Sequence, residues 1–541
     1  MIRHYHSRTR HFPNAYARSS GYLDWESQPD PFRRFVDAPR VALPRLPVGV
    51  TPRYEPAFVE GGVAPPAAVD LAALAQLLQD AVGLSAWKEA GTARWALRMN
   101  PSSGNLHPTE TYLVTGALPG LAAAPGRAAA PGVWHYAVDA HALELRRALP
   151  EWDRLAPDLP AGAVLVGFTS IPWRESWKYG ERAFRYCQLD LGHAVAALAV
   201  AAAGLGWQVR WLEGVTDAEI AALLGVDAQS GPEAECPEAI CAVWPAGVPF
   251  PSEQQRYLRL PEPAGRLLGT PNQLSPAHVE WSVIDGAVEA TERTARPDAS
   301  WWDGPRPRNA ALTVGDSPLS LRQIIHQRRS AVAMDGHTGI SAPAFFQVLV
   351  KCVAGTGQVP FATLPWAPRV HLLCFVHRVA GLEPGIYLLV RDLGRAEAVQ
   401  RQLQAAMQAD LEWAPVPGAP VGLPLWRLRA GDCRALARSV CCDQEIAGDG
   451  VAAFAMLADY DRTLTEFGPW TWRRLHAEAG AVGHTLYLEA EATGIRGTGI
   501  GCFFDEAVHA VVGLKDERWR CLYGFTIGGA VEDPRIRTLP P

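Results

Sequence analysis

No stretch of this sequence is apolar for long enough to suggest a bilayer span. The most apolar run, Ala194 to Trp207, is too short and reads as a buried helix. No long basic run appears either. With a formal net charge of −6, the chain is not expected to partner nucleic acid. The first thirteen residues carry His4, His6, Arg8, Arg10 and His11 without an apolar core, so no secretory signal peptide is expected. There is no CxxC pair. The ten cysteines are scattered, and the adjacent Cys441 and Cys442 suit neither zinc nor an unstrained disulfide. Reduced thiols in a cytoplasmic protein are expected. No metal site is expected, because His4, His6 and His11 have no cysteine or carboxylate to complete one. His193 and His484 fall inside long helices and read as core histidines.

What the chain does have is size and internal likeness. At 541 residues it exceeds what one hydrophobic core usually serves, so two domains are expected. Its composition, 48% hydrophobic and 20% charged, is that of an ordinary soluble protein. Segments of the first half recur in order in the second. Gln76-Leu77-Leu78 is answered by Gln347-Val348-Leu349, and Ala130-Pro131-Gly132-Val133 by Glu383-Pro384-Gly385-Ile386. Leu191-Gly192-His193 is answered by Val482-Gly483-His484, and the segment Asp217 to Val226 by Asp505 to Leu514. A repeat this long indicates duplicated domains, not a solenoid. The expected division is 1–248, a proline-rich linker over 249–316 that partly packs on the surface, and 317–541.

Apolar Phe184, Cys187, Leu191, Val195 and Leu198 step along one helical face, and Trp472, Leu475, Ala479, Val482 and Leu486 repeat the pattern. Short β-branched or aromatic runs (Thr111–Thr115, Val133–Val138, Val164–Thr169, Val370–Val376, Ile386–Val390) lie between such helices. The expected class is α+β.

Three segments carry candidate chemistry. Asn100-Pro-Ser-Ser-Gly-Asn-Leu-His-Pro108 precedes a strand and packs two hydroxyls, an amide and a glycine where turn geometry can aim them at one ligand. Ser317-Pro318 reads as a helix start, and Arg328-Arg329-Ser330 at the helix end can grip a phosphate. Arg496-Gly-Thr-Gly-Ile-Gly-Cys502 is glycine-rich without being a dinucleotide fingerprint, since it lacks the strand before and the helix after. It can still let backbone approach a flat ligand. Taken alone, the first is also a plain turn and the second a solvated basic helix end.

Together these segments resemble the FMN-dependent nitroreductases, whose PSSxNxxP segment is similar to Pro101–Pro108 and whose Arg-x-Ser is similar to Arg328-Arg329-Ser330. Within that superfamily the SagB/ThcOx-type dehydrogenases are the nearest likeness, on the lysine-tyrosine signature at Lys178-Tyr179. The resemblance implies two tandem nitroreductase-like domains forming an intrachain pseudo-dimer, with FMN held between them. It implies Arg328, Arg329 and Ser330 at the phosphate and ribityl chain, joined by Arg535 and Arg537. Pro101, Ser102, Ser103 and Asn105 then line the flavin, and Gly499 and Gly501 bring backbone N–H near its N5. The lysine that relatives place two residues after the Arg-x-Ser serine is Val332 here. Because the first half lacks Arg-x-Ser and Thr363–Arg369 lacks the serines and asparagine, one composite FMN site per chain is expected, with its counterpart decayed.

Lys178 and Tyr179 are the implied catalytic pair, with Arg182 and Arg185 supplying a positive field that lowers the lysine pKa. Their counterpart is Pro469-Trp470. Three functions remain open: reduction of small molecules by NAD(P)H, dehydrogenation of an azoline in a modified peptide, and a flavin-binding scaffold without turnover. The assembly is either a monomeric pseudo-dimer or a homo-oligomer.

Overall fold

The computed structural model describes residues 1–122, 128–250, 258–298, 301 and 317–541. Two seven-stranded antiparallel sheets dominate it. The first runs edge to edge through Arg40–Ala42, Ala142–Ala148, Gly132–Ala137, Thr109–Thr115, Val164–Ser170, Cys236–Pro245 and Trp207–Trp211. The second runs through Ala414–Pro415, Leu425–Ala430, Gly385–Leu389, Val370–Val376, Ala452–Asp459, Trp519–Gly528 and Arg496–Ile500. Six strands match in order; the seventh, at one edge, comes from before the others in the first sheet (Arg40–Ala42) and from within the run in the second (Ala414–Pro415). Between the sheets lie two long helices, Ala183–Gly204 and Thr471–Ala492, each buried along nearly its whole length. One hydrophobic core runs through both halves across these helices, while separate clusters pack the outer face of each sheet.

The helices cross backbone to backbone. A Cβ on Gly192 would overlap the carbonyl oxygen of Ala477, and a Cβ on Gly480 would overlap that of Leu189 while lying 3.0 Å from the Gly192 Cα. The contact is reciprocal, and it pairs Gly192 with Gly480 in place of the Gly192 and Gly483 matched in sequence. The sequence match followed a shared histidine, whereas packing selects the residues without side chains. The first helix is alanine-rich for the same reason: small side chains let neighbours close in on all sides.

Charge repeats the reciprocity. Arg185 reaches Asp505 of the second half and Arg473 reaches Asp217 of the first, each at 3.1 Å and fully buried. The termini cross over as well. The tail strand Arg537–Leu539 pairs with Leu84–Ala90, which pairs in turn with Ala93–Arg98. The N-terminal helix Ile2–Arg8 lies against both halves through Tyr5 to the Glu181 carbonyl and Arg3 to Asp461.

Several expectations change. The helix before Arg328 begins not at Ser317 but at Ser320, whose hydroxyl and Gln323 form a reciprocal capping box over Leu321–Gln327. The glycine-rich segment is no free loop: Arg496–Ile500 is an edge strand. Of the linker, 251–257, 299–300 and 302–316 lie outside the described residues. The rest packs more tightly than a surface linker, with Ile284, Ala287 and Trp301 buried. The helical run Pro172–Gly204 is longer than expected, and 94% of its apolar window is buried inside the protein.

Gly480→Ala should lower unfolding stability by at least ~2 kcal/mol through overpacking against fixed backbone. The urea midpoint checks this, and an unchanged midpoint would remove the backbone contact from the account.

Candidate active site

A cavity of about 490 Å³ opens where the two halves meet, a size suited to a bound small molecule. Its wall brings together Pro101, Ser102, Ser103, Asn105 and Tyr179 of the first half with Arg328, Arg329, Ser330, Gly499 and Gly501 of the second. The Pro101–Asn105 loop and the second-half segments, more than two hundred residues apart in the chain, meet because the central helices cross.

Arg328 ends its helix as the C-cap residue, with extended backbone that turns Arg329 and Ser330 along the wall. Its guanidinium is buried, donates to the Arg98 and Met99 carbonyls at 3.0 Å each, and leaves Nε without a partner. Arg329 donates to the carbonyls of His326, Arg328 and Ser85. Among the described residues neither guanidinium has a carboxylate ion-pair partner. Burial pushes both pKa values down, Arg329 to about 10. Glu491 lies close enough to oppose the burial effect, and its Oε1 accepts the Arg329 backbone N–H at 3.0 Å, yet it makes no ion pair with either guanidinium. Two buried cations near one carboxylate leave a site that favours an anion.

Arg535 and Arg537 do not join them. Arg535 is exposed and paired with Asp533 at 2.7 Å, and Arg537 points outward on the tail strand. An edge strand carries alternate side chains away from its sheet, and this one does so here. Lys88 and Arg496, which the motif reading passed over, stand on the wall instead. Lys88 comes from the strand that receives the tail, and its Nζ donates to Thr538 at 2.7 Å. It supplies a cation where Val332 cannot.

The serines partly serve their own loop. Ser102 Oγ accepts the His107 N–H at 2.8 Å, and Asn105 Nδ2 donates to the Ala96 carbonyl at 2.7 Å. Ser103 donates through both N–H and hydroxyl, at 2.9 to 3.1 Å, to Asp190. Asp190 is a wall residue that motif reading missed. Its signal was a lone carboxylate in the alanine-rich helix. Desolvation raises its pKa to about 7, against the opposing hydrogen bonds from Ser102 and Ser103. Glu478 holds the same place in the second helix, where it accepts the Arg369 and Val370 N–H groups at 3.1 Å. Arg391 neutralises Glu478 at 2.6 Å; no such cation faces Asp190 among the described residues.

Gly499 and Gly501 admit aromatic rings, because Cβ atoms there would collide with Tyr523 and Tyr186. The Gly499 N–H donates to the Tyr487 hydroxyl at 3.0 Å, which also meets Ser330 Oγ at 3.0 Å. His193 touches Tyr523 through Nε2 at 3.1 Å, and burial lowers its pKa to about 3, so it is neutral.

Tyr179 lies on the wall with its ring 4.6 Å from that of Tyr186, and burial holds its phenol protonated. Lys178 faces elsewhere. It lines an adjoining groove of about 720 Å³ with Trp25, Phe32, Trp87, Trp95 and Trp177. Trp95, Gly104 and Asn105 belong to both spaces. Arg182 and Arg185 turn toward the second half, where they share the one Asp505 carboxylate at 3.4 and 3.1 Å, and neither stands on the groove that Lys178 lines. An ionisable neighbour of Lys178 is Glu175, a fully buried carboxyl without a hydrogen-bond partner, raised well above its usual range by burial.

The related position in the other half is filled. Trp366, from the segment matching the PSSGN loop, packs against Trp211 and Trp301, and Trp301 against Trp470, with centroids 4.9 to 5.7 Å apart. The helix Tyr460–Phe467 answers Pro172–Tyr179, so Phe467 stands where the first half has Tyr179, packed against Trp301 at 5.0 Å.

The wall fits FMN: unbalanced guanidiniums for a phosphate, and unpartnered buried atoms, Arg328 Nε, Asn100 Oδ1 and His107 Nδ1, for further hydrogen bonds. Comparisons with known proteins agree in kind. The family model described as the nitroreductase family matches residues 65–243 and 386–529, more than half of the chain. A nitroreductase-like protein of Methanocaldococcus jannaschii is 22% identical over 216 residues, 39% of this chain and 82% of its own length. The crystal structure of a nitroreductase-like protein from Anabaena variabilis superposes with a TM-score of 0.67 at 22% identity, covering 98% of this chain and 99% of that one. The McbBCD microcin synthetase complex of Escherichia coli, with truncated pro-MccB17 bound, matches 38% of this chain and 71% of its own at 18% identity and a TM-score of 0.26.

Asp190 gives a pH signature. Its folded-state pKa is raised, so its contribution to stability is full below about pH 4 and is lost as pH rises to about 7. Asp190→Asn should therefore gain on the parent by up to ~4 kcal/mol between pH 4 and pH 7. Parallel urea titrations at the two pH values check it, and a pH-independent difference would contradict it.

Proposed function

Because the chain belongs to the nitroreductase family, we propose that it is an FMN-dependent oxidoreductase with one composite cofactor site, in the cavity between its halves. The observation that carries this reading is the meeting of Arg328 and Arg329 from one half with the Pro101–Asn105 loop and Tyr179 from the other around one cavity. The two halves are then duplicated domains, 1–248 and 317–541, whose second site has been closed by tryptophans.

Arg328, Arg329, Lys88 and Arg496 would hold the phosphate. Ser330, Asn100 and Asn105 offer hydrogen-bonding groups to the ribityl chain and ring, and Tyr186, Tyr487 and Tyr523 present ring edges. FMN, when bound, supplies a two-electron centre that gives or takes hydride at N5. The chain's own part is to orient the substrate, exclude water and handle its proton. Tyr179, protonated and facing the cavity, can donate to or position a substrate heteroatom. Glu175, one turn before it on the same helix and also held protonated, can replenish that proton.

A second reading concerns substrate. Lys178 opens onto a tryptophan-lined groove beside the cavity. That placement supports dehydrogenation of a heterocycle carried on a modified peptide, with Lys178 as the proton acceptor and the groove holding apolar flanking residues. General reduction by NAD(P)H needs no such groove.

The purified protein should absorb in the flavin region at close to one FMN per chain. Arg329→Ala should raise the dissociation constant for FMN by about ten- to a hundredfold, the worth of a hydrogen bond to a charged group. A stoichiometry near two, or unchanged affinity, would sink the composite site. Anaerobic NADH and NADPH separate the substrate readings: rapid bleaching marks a reductase, whereas flavin that stays oxidised marks a substrate that is itself the hydride donor. In the second case Lys178→Met should cut turnover by about a hundredfold or more and leave FMN affinity unchanged.

A further inference from the structure

A separate cluster of reactive side chains lies on the same cavity and has no part in the function above. Cys502 lines the cavity just past the edge strand Arg496–Ile500, and its Sγ stands 2.7 Å from that of Cys442. The two thiols are unbridged and half-buried, whereas seven of the other eight cysteines are buried. The pair was invisible in sequence because the partners are 60 residues apart and belong to no spacing motif.

The surroundings are those that activate a thiol. His11 arrives from the N-terminal segment; its Nδ1 accepts the Ala17 N–H at 2.9 Å, which leaves Nε2 protonated, and the ring hydrogen-bonds the Cys502 thiol. Arg182 donates to the Gly501 carbonyl at 3.0 Å and adds its charge beside Cys502. Tyr16 hydrogen-bonds Cys442. Gln444 donates to the carbonyls of Cys441 and Cys502 at 2.8 and 2.9 Å, tying the two loops so that the sulfurs face each other. Cys442 and Asp443 both hold left-handed backbone, φ 55° and 58°, strain of the kind that persists where surrounding contacts impose it. Contact with the Cys442 thiol, then His11 and Arg182, holds Cys502 well below the ordinary thiol value, while Cys442 is pushed up by its contact with Cys502 and by burial. The cationic and donor neighbours of Cys502 favour the thiolate there, with Cys442 as the protonated partner.

We propose that Cys442 and Cys502 form a redox-active dithiol, a second two-electron centre that exchanges with external disulfides. The Cys502 thiolate attacks one sulfur of a disulfide RS–SR, forming a mixed disulfide and expelling RS⁻. Cys442 passes its proton to that thiolate and attacks Cys502 Sγ, closing the Cys442–Cys502 bond and expelling a second RS⁻. The protein loses two electrons, the external disulfide gains them, and one product leaves as the thiol. Closing the bond draws the Cys441–Gln444 loop onto the end of the cavity strand, so the oxidised form also changes the cavity wall.

The test uses the full chain as purified, its flavin content recorded by absorbance, equilibrated with mixtures of reduced and oxidised glutathione. Acid quenching, N-ethylmaleimide labelling and peptide mass mapping then follow. Cys442 and Cys502 should lose label together, appear as one cross-linked peptide, and regain label with dithiothreitol while the buried cysteines stay unchanged. In Cys442→Ser, glutathione should accumulate on Cys502; in Cys502→Ser, Cys442 should react about tenfold more slowly or less. Full labelling of both thiols in oxidised glutathione, or first attachment of glutathione to Cys442, overturns the proposal. A colourless protein that still forms the cross-link would defeat the flavin reading and leave this one standing.

Discussion

The two central helices touch backbone to backbone at Gly192 and Gly480, and that contact fixes where every other element can stand. No side chain cushions the crossing, so the helices have one separation and little freedom to slide. Each then points an arginine into the opposite half, Arg185 to Asp505 and Arg473 to Asp217. Removing either partner would leave a buried charge unmatched, which is costly. The sheets, the crossing tail strand and the N-terminal helix are arranged around this joint. The cavity is a consequence of it, since its walls come from both sides.

A near-symmetric frame carries an asymmetric interior, and the difference can be traced to a few residues. Asp190 and Glu478 hold the same position in their helices and the same task, accepting N–H groups from the loop before a strand. Arg391 neutralises Glu478, and indoles fill the space around it. Asp190 keeps no cation and faces open volume lined by tyrosines. A carboxyl in that setting is held near neutrality by desolvation. The second half is packed as core at this place, which favours stability; the first holds polar groups that core packing alone would reject.

The sequence made the frame legible where patterning is strict. The buried strands Thr109–Thr115 and Val370–Val376, and both long helices, follow from apolar runs and helical spacing. The Pro101–Asn105 and Arg328–Ser330 segments line one cavity. What local pattern could not carry were partners set by long-range geometry. Lys88 is on the wall because a tail strand about 450 residues away in the chain docks beside it, while Arg535 and Arg537, chosen for their nearness to the end, turn to solvent. Lys178 and Tyr179 are neighbours in sequence, yet they face two different spaces because successive helix positions diverge. The repeat match of Gly192 with Gly483 is offset by three residues from the Gly192–Gly480 contact for a related reason: a shared histidine is conspicuous in sequence, whereas contact is decided by the absence of side chains.

The electrostatics of the cavity bind these observations together. Arg328 and Arg329 hold two charges among carbonyl oxygens, with Glu491 nearby but in no ion pair with either, at depressed pKa values. Such an arrangement lowers the stability of the empty protein, and an evolving core has a simple remedy in hydrophobic replacement, the remedy visible around Trp366. Its absence here follows if an anionic ligand restores the balance, because binding to the folded state alone adds stability in proportion to the logarithm of ligand excess. The cavity that looks frustrated when considered as core is then coherent as half of a complex. The same reasoning suits Tyr179, Tyr186 and Tyr523 on the wall: phenols held protonated by burial add hydrogen bonding without adding negative charge beside a bound anion. Folding and ligand binding are thereby two parts of one equilibrium, joined at the helix crossing that brings the arginines to the cavity.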